Sequence, residues 1–260
     1  MKRKRRKYWH KLWQDTDFMR RLTAAENSRT SRCLFDYVAK NHVHPAETIA
    51  ISCGTTMACL GRAIFDRMAR ESFGALTVVT TNLEVLLEAL SREGKLAGLD
   101  LFTPYGGANR EIAALVPHKN GLVDIPKRAI DTMFMSFAGI SPTKGFFDES
   151  RETWEAKQAL LEALDDRHGV PGSRNVCVVL RGYRIGLEKG SLSYSLADFQ
   201  RDCKKGGGTR GFLLAADVPG GEAAAEAFRG HLEALTNKSS GWGFREVYDQ
   251  GGVVLLSTRP

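Results

Sequence analysis

Short apolar stretches alternate with helix-patterned segments along almost the whole chain. The stretches fall at 48–52, 76–80, 99–103, 132–137, 175–180, 211–216 and 252–257. Between them, Met57, Leu60, Ile64 and Met68 recur at helical spacing, as do Leu83, Leu86, Leu87 and Leu90. That spacing puts one apolar stripe on a helix, whereas the short Val- and Thr-rich runs suit buried strands. Further helices are predicted at 28–41, 121–130, 151–167 and 221–236. Strand, turn and helix in repeated alternation predict an α/β fold, with a mostly parallel sheet, helices on both faces and right-handed crossovers. A basic arm at 1–27 is expected to precede one domain over 28–260, with the polar, Gly-rich stretch 181–210 as a flexible connector or lid.

Composition narrows the class. The 260 residues are 43% hydrophobic, enough for a full core. There is no run of ~18 apolar residues, so no membrane span is expected. The five cysteines, Cys33, Cys53, Cys59, Cys177 and Cys203, form no C-x-x-C, so neither a zinc cluster nor a disulfide framework is indicated. His42 and His44 stand before Pro45 and read as a loop connection, not a metal pair. No metal and no cofactor are expected. The basic start is not followed by a continuous apolar stretch, so the expected compartment is the cytoplasm.

The formal charge of +7 is concentrated at one end. Residues 1–21 hold nine Lys and Arg, including Lys2, Arg3, Lys4, Arg5, Arg6 and Lys7, against Asp15 and Asp17. The other 239 residues carry 28 positive and 28 negative side chains. Such an arm suits contact with phosphate backbone, although a solvated terminus is the first reading of a charge run. Tyr8, Trp9, Leu12 and Trp13 follow it at the spacing of a short amphipathic helix.

Parallel sheets bind ligands beyond the carboxyl ends of their strands. Here that rule selects the turns at 52–56, 80–82, 104–110, 138–145 and 181–186. Ser52, Gly54, Thr55 and Thr56 offer hydroxyls, close backbone approach and helix-start N–H groups, a seat for phosphate or carboxylate; plain capping is the alternative. Thr81 and Asn82 read first as helix caps, in a T-x-x-E capping box with Glu84, and second as ligand contacts. Gly106 and Gly107 with Arg110 can face an anion or form a mobile loop. Gly139 and Lys144 sit in a Gly- and Pro-punctuated loop, Lys157 on the next helix, and Arg184 after the strand at 175–180. Lys157 alone reads first as a solvated lysine with local ion pairing. Taken together, the expected rim is rich in hydroxyls, glycines and cations and poor in carboxylates, which suits a small phosphorylated metabolite.

Five segments carry a family resemblance. They are Ile49 to Thr56, Leu76 to Asn82, Gly106 to Arg110, Asp131 to Phe134 running on to Gly139 and Ile140, and Glu155-Ala156-Lys157. In this order they resemble the C-terminal sensor domain of the DeoR-family bacterial transcription regulators. The resemblance implies the fold of ribose-5-phosphate isomerases and CoA transferases, sensing of phosphorylated sugars or related metabolites, and a homo-oligomer. It implies a pocket lined by Ser52, Gly54, Thr55, Thr56, Asn82, Gly106, Gly107, Arg110, Gly139 and Lys157. Three departures stand out. About 27 residues precede the first shared helix, fewer than the winged helix-turn-helix with which those regulators begin. Ala138 stands where the family has Asp, and Arg181-Gly182-Tyr183-Arg184 where it has Asp-Ser-Ser-Lys.

An isomerase needs a base near the substrate carbon. The stretch Phe137 to Ser141 contains no acid, Asp148 and Glu149 lie several residues on, and Asp131 is expected at the opposite strand end. The sequence therefore favours a sensor of a phosphorylated metabolite over a sugar-phosphate isomerase. DNA contact is expected through the basic arm or through a separate DNA-binding chain.

Overall fold

The computed structural model describes residues 29–92, 94–103, 106–109, 113–117, 130–141, 144–165, 175–181, 184, 186–195, 198, 211–215, 244–249 and 254–258. The basic arm, Arg110, residues 121–129 of one expected helix and the expected helix at 221–236 lie outside them. In chain order the elements are α1 (Arg29–Asn41), β1 (Thr48–Ile51), α2 (Thr55–Arg70), β2 (Leu76–Thr80), α3 (Leu83–Ser91), β3 (Leu99–Phe102), β4 (Gly106–Asn109), β5 (Ala114–Pro117) and β6 (Thr132–Met135). There follow β7 (Gly139–Ser141), β8 (Gly145–Asp148), α4 (Arg151–Asp165), β9 (Asn175–Arg181), β10 (Ser191–Ser195), β11 (Gly211–Ala215), β12 (Phe244–Asp249) and β13 (Val254–Thr258).

Eight strands form the main sheet in the order β12-β13-β11-β9-β6-β1-β2-β3. The run from β3 to β11 is parallel throughout, and β13 and β12 add antiparallel pairings at the far edge. The fold is thus α/β with a mostly parallel sheet. Within the parallel part its chain order reverses once: after β1 the chain moves outward to β2 and β3, then returns to lay β6 on the other side of β1. The carboxyl ends of β1 and β6 therefore diverge into separate connections, which opens a crevice between them.

The core follows from the strand pleat. Ile49, Ile51, Leu76, Val78, Phe134, Cys177 and Val179 alternate along their strands and share one buried cluster with Leu34 and Val38 of α1, Leu60 and Ile64 of α2, and Val85 of α3. Gly61 lets α2 and α3 approach closely, since a Cβ there would lie 2.7 Å from Val85 Cγ2. Arg67 ties α1 to α2 by donating to the carbonyls of Ala39 (2.6 Å) and Val43 (2.9 Å), with its guanidinium 4.6 Å from the Phe73 ring centroid.

Three turns differ from their sequence reading. The 104–110 turn contains strand β4, paired antiparallel with β5. The 138–145 loop contains β7 and opens a hairpin, in which β7 pairs with β8. Within the expected connector at 181–210, residues 191–195 form β10, which pairs with β8 as the third strand of that small sheet. Strands β4, β7 and β8, of three or four residues, lack the apolar alternation that would announce them, whereas Ser191–Ser195 alternates but stands in polar, Gly-rich surroundings that read as a connector. Helix α4 packs against β5, β8 and β10.

Candidate functional site

A cavity of about 60 Å³ lies at the carboxyl ends of β1 and β6, where the order reverses. Cys53, Gly54 and Thr55 reach it from the β1–α2 turn, and Ser136, Phe137 and Ala138 from the end of β6. Asp148 and Glu149 come from the end of β8, Thr153 and Lys157 from α4, and Arg184 from beyond β9.

The β1–α2 turn is held from behind. Ser52 N–H donates to the Phe134 carbonyl (3.0 Å), joining the two strand ends. Thr80 Oγ1 donates to the Ile51 carbonyl (2.7 Å), and the Asn82 amide donates to the carbonyls of Ser52 (3.3 Å) and Gly54 (2.9 Å). Gly54 caps α2 at φ 110, in the region that favours glycine, and a Cβ there would come 3.1 Å from Ser136 Oγ. No side chain caps α2, so its first-turn N–H groups are left for another partner at the cavity wall.

Lys157 is buried, not solvated. Its ammonium pairs with Asp148 Oδ1 and sits 4.5 Å from the centroid of the Phe137 ring. Phe137 belongs to an aromatic group with Phe146, Trp154 and Tyr194, whose ring centroids lie 4.7 to 6.5 Å from its own. Arg184 donates to the Phe137 carbonyl. Burial pushes the Asp148 carboxyl above its ordinary range, while Lys157 and then Arg184 pull it back. Burial likewise pushes the Cys53 thiol up to about 11, with Lys157 opposing; its Sγ lies 3.6 Å from the Thr153 carbonyl.

Of the residues expected to bind a ligand, Gly54, Thr55, Lys157 and Arg184 share this cavity. Ser52 and Thr56 are buried in the turn and the first turn of α2, outside the lining. Asn82, not Thr81, is the N-cap of α3, accepting from Glu84 N–H (3.0 Å) and Val85 N–H (3.3 Å). Its amide is spent on carbonyls, and the Thr81 hydroxyl is buried without a hydrogen-bond partner. Gly106 and Gly107 lie in β4, Gly107 exposed. Gly139 lies in β7 against Leu187, whose carbonyl a Cβ would strike. Lys144 is exposed and pairs with Glu188. Arg110 lies outside the described residues, as does the arm from Lys2 to Lys7.

The expectation of a carboxylate-poor rim is corrected by Asp148. The β7–β8 hairpin returns the chain to the strand ends, so an acid remote from β6 in sequence lies beside Lys157. Ser136 and the aromatic wall were also missed; Trp154, three positions before Lys157 on α4, was the available clue. Asp131 does lie at the opposite end of the sheet, accepting from Thr48 N–H (2.8 Å). Among the described residues no group of His, Cys, Asp and Glu could hold a metal ion, and no helix is long and apolar enough to cross a membrane.

These features define an α/β protein with a cation-bearing cavity at the switch point of a parallel sheet. Residues 37–168 match the model of the DeoR C-terminal sensor domain, and the chain belongs to that family. Among solved structures it is similar to ribose 5-phosphate isomerase A of Methanocaldococcus jannaschii (12% identity, 89% of this chain, 79% of that one, TM-score 0.40). It is also similar to ribose 5-phosphate isomerase of Plasmodium falciparum (10%, 88% and 77%, TM-score 0.40). A third similarity is to eIF2B delta of Chaetomium thermophilum (12%, 59% and 47%, TM-score 0.37). No curated protein matches the chain in sequence.

Proposed function

We propose that this chain is a sensor in transcriptional regulation, and that the β1/β6 cavity binds the anionic head of a small phosphorylated metabolite, a sugar phosphate or a relative. One observation carries the reading: two cations, Lys157 and Arg184, and the N-terminus of α2, which no side chain caps, converge on one cavity at the switch point. Helix-start N–H groups and cationic side chains together favour a phosphate group. At about 60 Å³ the cavity takes a head group, and the rest of the ligand extends through its mouth. Regulation then proceeds through DNA contact by the basic arm or by a partner chain, with the sensor acting as a cytoplasmic homo-oligomer. Calorimetric titration against sugar phosphates and nucleotides is expected to give saturable heat with at least one. Lys157→Met should weaken that binding about ten-fold or more, as loss of a charged hydrogen bond does.

A second reading, a sugar-phosphate isomerase, is favoured by Asp148. It supplies the carboxylate beside the cavity that the sequence did not place, and its raised pKa suits proton transfer. Incubation with an aldose phosphate separates the two. The sensor binds without turnover, and appearance of the ketose would establish the enzyme.

A further inference from the structure

Asp148 ends β8 and is 3% exposed. Its Oδ1 takes the Lys157 ammonium. Its Oδ2 is buried without a hydrogen-bond partner, although Asp148 lines the cavity. Buried carboxylate oxygens are ordinarily bonded, so this atom marks a place where a donor belongs. The charged and titratable groups facing it are Lys157 on α4, Arg184 beyond β9, the adjacent Glu149 and the Cys53 thiol after β1. None of these donates to Oδ2.

An anion that approaches Lys157 also approaches Asp148, because the two side chains are paired. A bare phosphate offers the carboxylate mainly charge and lone pairs, and like charges at close range repel. A ligand with a hydroxyl close to its phosphate satisfies both groups. The phosphate faces Lys157, Arg184 and the α2 N-terminus, and the hydroxyl O–H donates to Oδ2. We propose that Asp148 is the specificity-determining residue of the cavity, selecting phosphate monoesters of hydroxylated carbon chains by accepting a hydrogen bond from a ligand hydroxyl. This rests on the reading of the cavity as a phosphate site.

The test titrates the full chain with glycerol 3-phosphate, ribose 5-phosphate, propyl phosphate and inorganic phosphate. Propyl phosphate matches glycerol 3-phosphate in carbon number and lacks both hydroxyls. The wild-type chain should bind a hydroxylated ester at least about ten-fold more tightly than propyl phosphate, the scale of one charged hydrogen bond. In Asp148→Ala that preference should fall to within about three-fold, while propyl phosphate binds more tightly because the carboxylate no longer opposes it. Asp148→Asn, which keeps an acceptor oxygen and loses the charge, should retain part of the preference. Where Asp148→Ala does not fold, Asp148→Asn carries the comparison, and its preference should fall below that of the wild type. Equal binding of propyl phosphate and both hydroxylated esters overturns the proposal, as does a preference that Asp148→Ala leaves intact. So does inorganic phosphate that binds as tightly as the esters and tightens as pH falls, since Asp148 would then serve as a proton donor to a bare anion. If no phosphate binds at all, the phosphate reading itself falls, and this assignment with it.

Discussion

Cys53 is sealed at the carboxyl end of β1, one residue before the cavity's glycine, and its environment has a measurable consequence. Burial raises its thiol from 9.0 to about 11. In the unfolded chain the thiol loses its proton first, so above its ordinary pKa the unfolded state is favoured. Stability should therefore fall as pH rises from 9 to 11, by about 2–3 kcal/mol from this group. Urea unfolding across that range should show the slope, and Cys53→Ala should remove that part of it. The same neighbourhood shows what single residues reveal. Gly54, Thr55 and Arg184 were legible because the switch-point rule needs only strand ends and turn chemistry, whereas Lys157, on a helix outside those turns, was pointed to by the family resemblance. Asp148 was not legible, because its place depends on a hairpin whose strands are too short to show a period. The burial of Lys157 was equally hidden. A helix position reads the same whether its ammonium meets water or a carboxylate delivered by another element.

Among the elements, the β1–α2 turn and the start of α3 form one unit joined by Asn82. Its carbonyl oxygen caps α3 and its amide holds two carbonyls of the turn that lines the cavity. Asn82→Ala therefore removes a cap and strands the buried Ser52 carbonyl in one change, while the Gly54 carbonyl still accepts from Ala58 N–H. A cap alone is worth about 1 kcal/mol, and an orphaned buried acceptor about 1–3. The variant should lose about 2–4 kcal/mol in urea unfolding, and its ligand affinity should fall although Asn82 does not line the cavity. Asn82→Asp keeps the cap oxygen and loses the amide, so it should retain helix stability better than ligand affinity. At this scale the sequence was informative about type and weak about position. Strands β1, β2 and β6 and helices α1, α2 and α4 were expected close to where they lie. The T-x-x-E pattern placed the cap at Thr81, one residue early. An Asn followed by Leu-Glu-Val offers an equally good start, and the choice falls to Asn82 because only its side chain also reaches the turn carbonyls.

Across the whole molecule, alternation was enough to reveal a parallel sheet, but not the order of its strands. The reversal after β3 is decided by which apolar faces are covered together, and no local pattern records it. That reversal puts β6 beside β1 and makes the crevice. Charge is the other property of the whole chain. Residues 1–21 hold the entire excess, and the remainder is balanced at 28 and 28. A balanced body has little general attraction for nucleic acid, so any electrostatic binding should be a property of the arm. If the arm neutralises about six phosphates with Lys2, Arg3, Lys4, Arg5, Arg6 and Lys7, duplex DNA affinity should fall by on the order of 10³ between 50 and 200 mM salt. Fluorescence anisotropy with a labelled duplex measures this directly. Removing residues 1–21 should abolish the salt-sensitive binding and leave ligand titration unchanged, because the described lining of the cavity comes from residues 53–55, 136–138, 148–157 and 184. Retention of the same salt slope by the shortened chain would move the DNA contact to the body or to a partner chain. Loss of both activities together would mean that the arm supports the fold of the cavity.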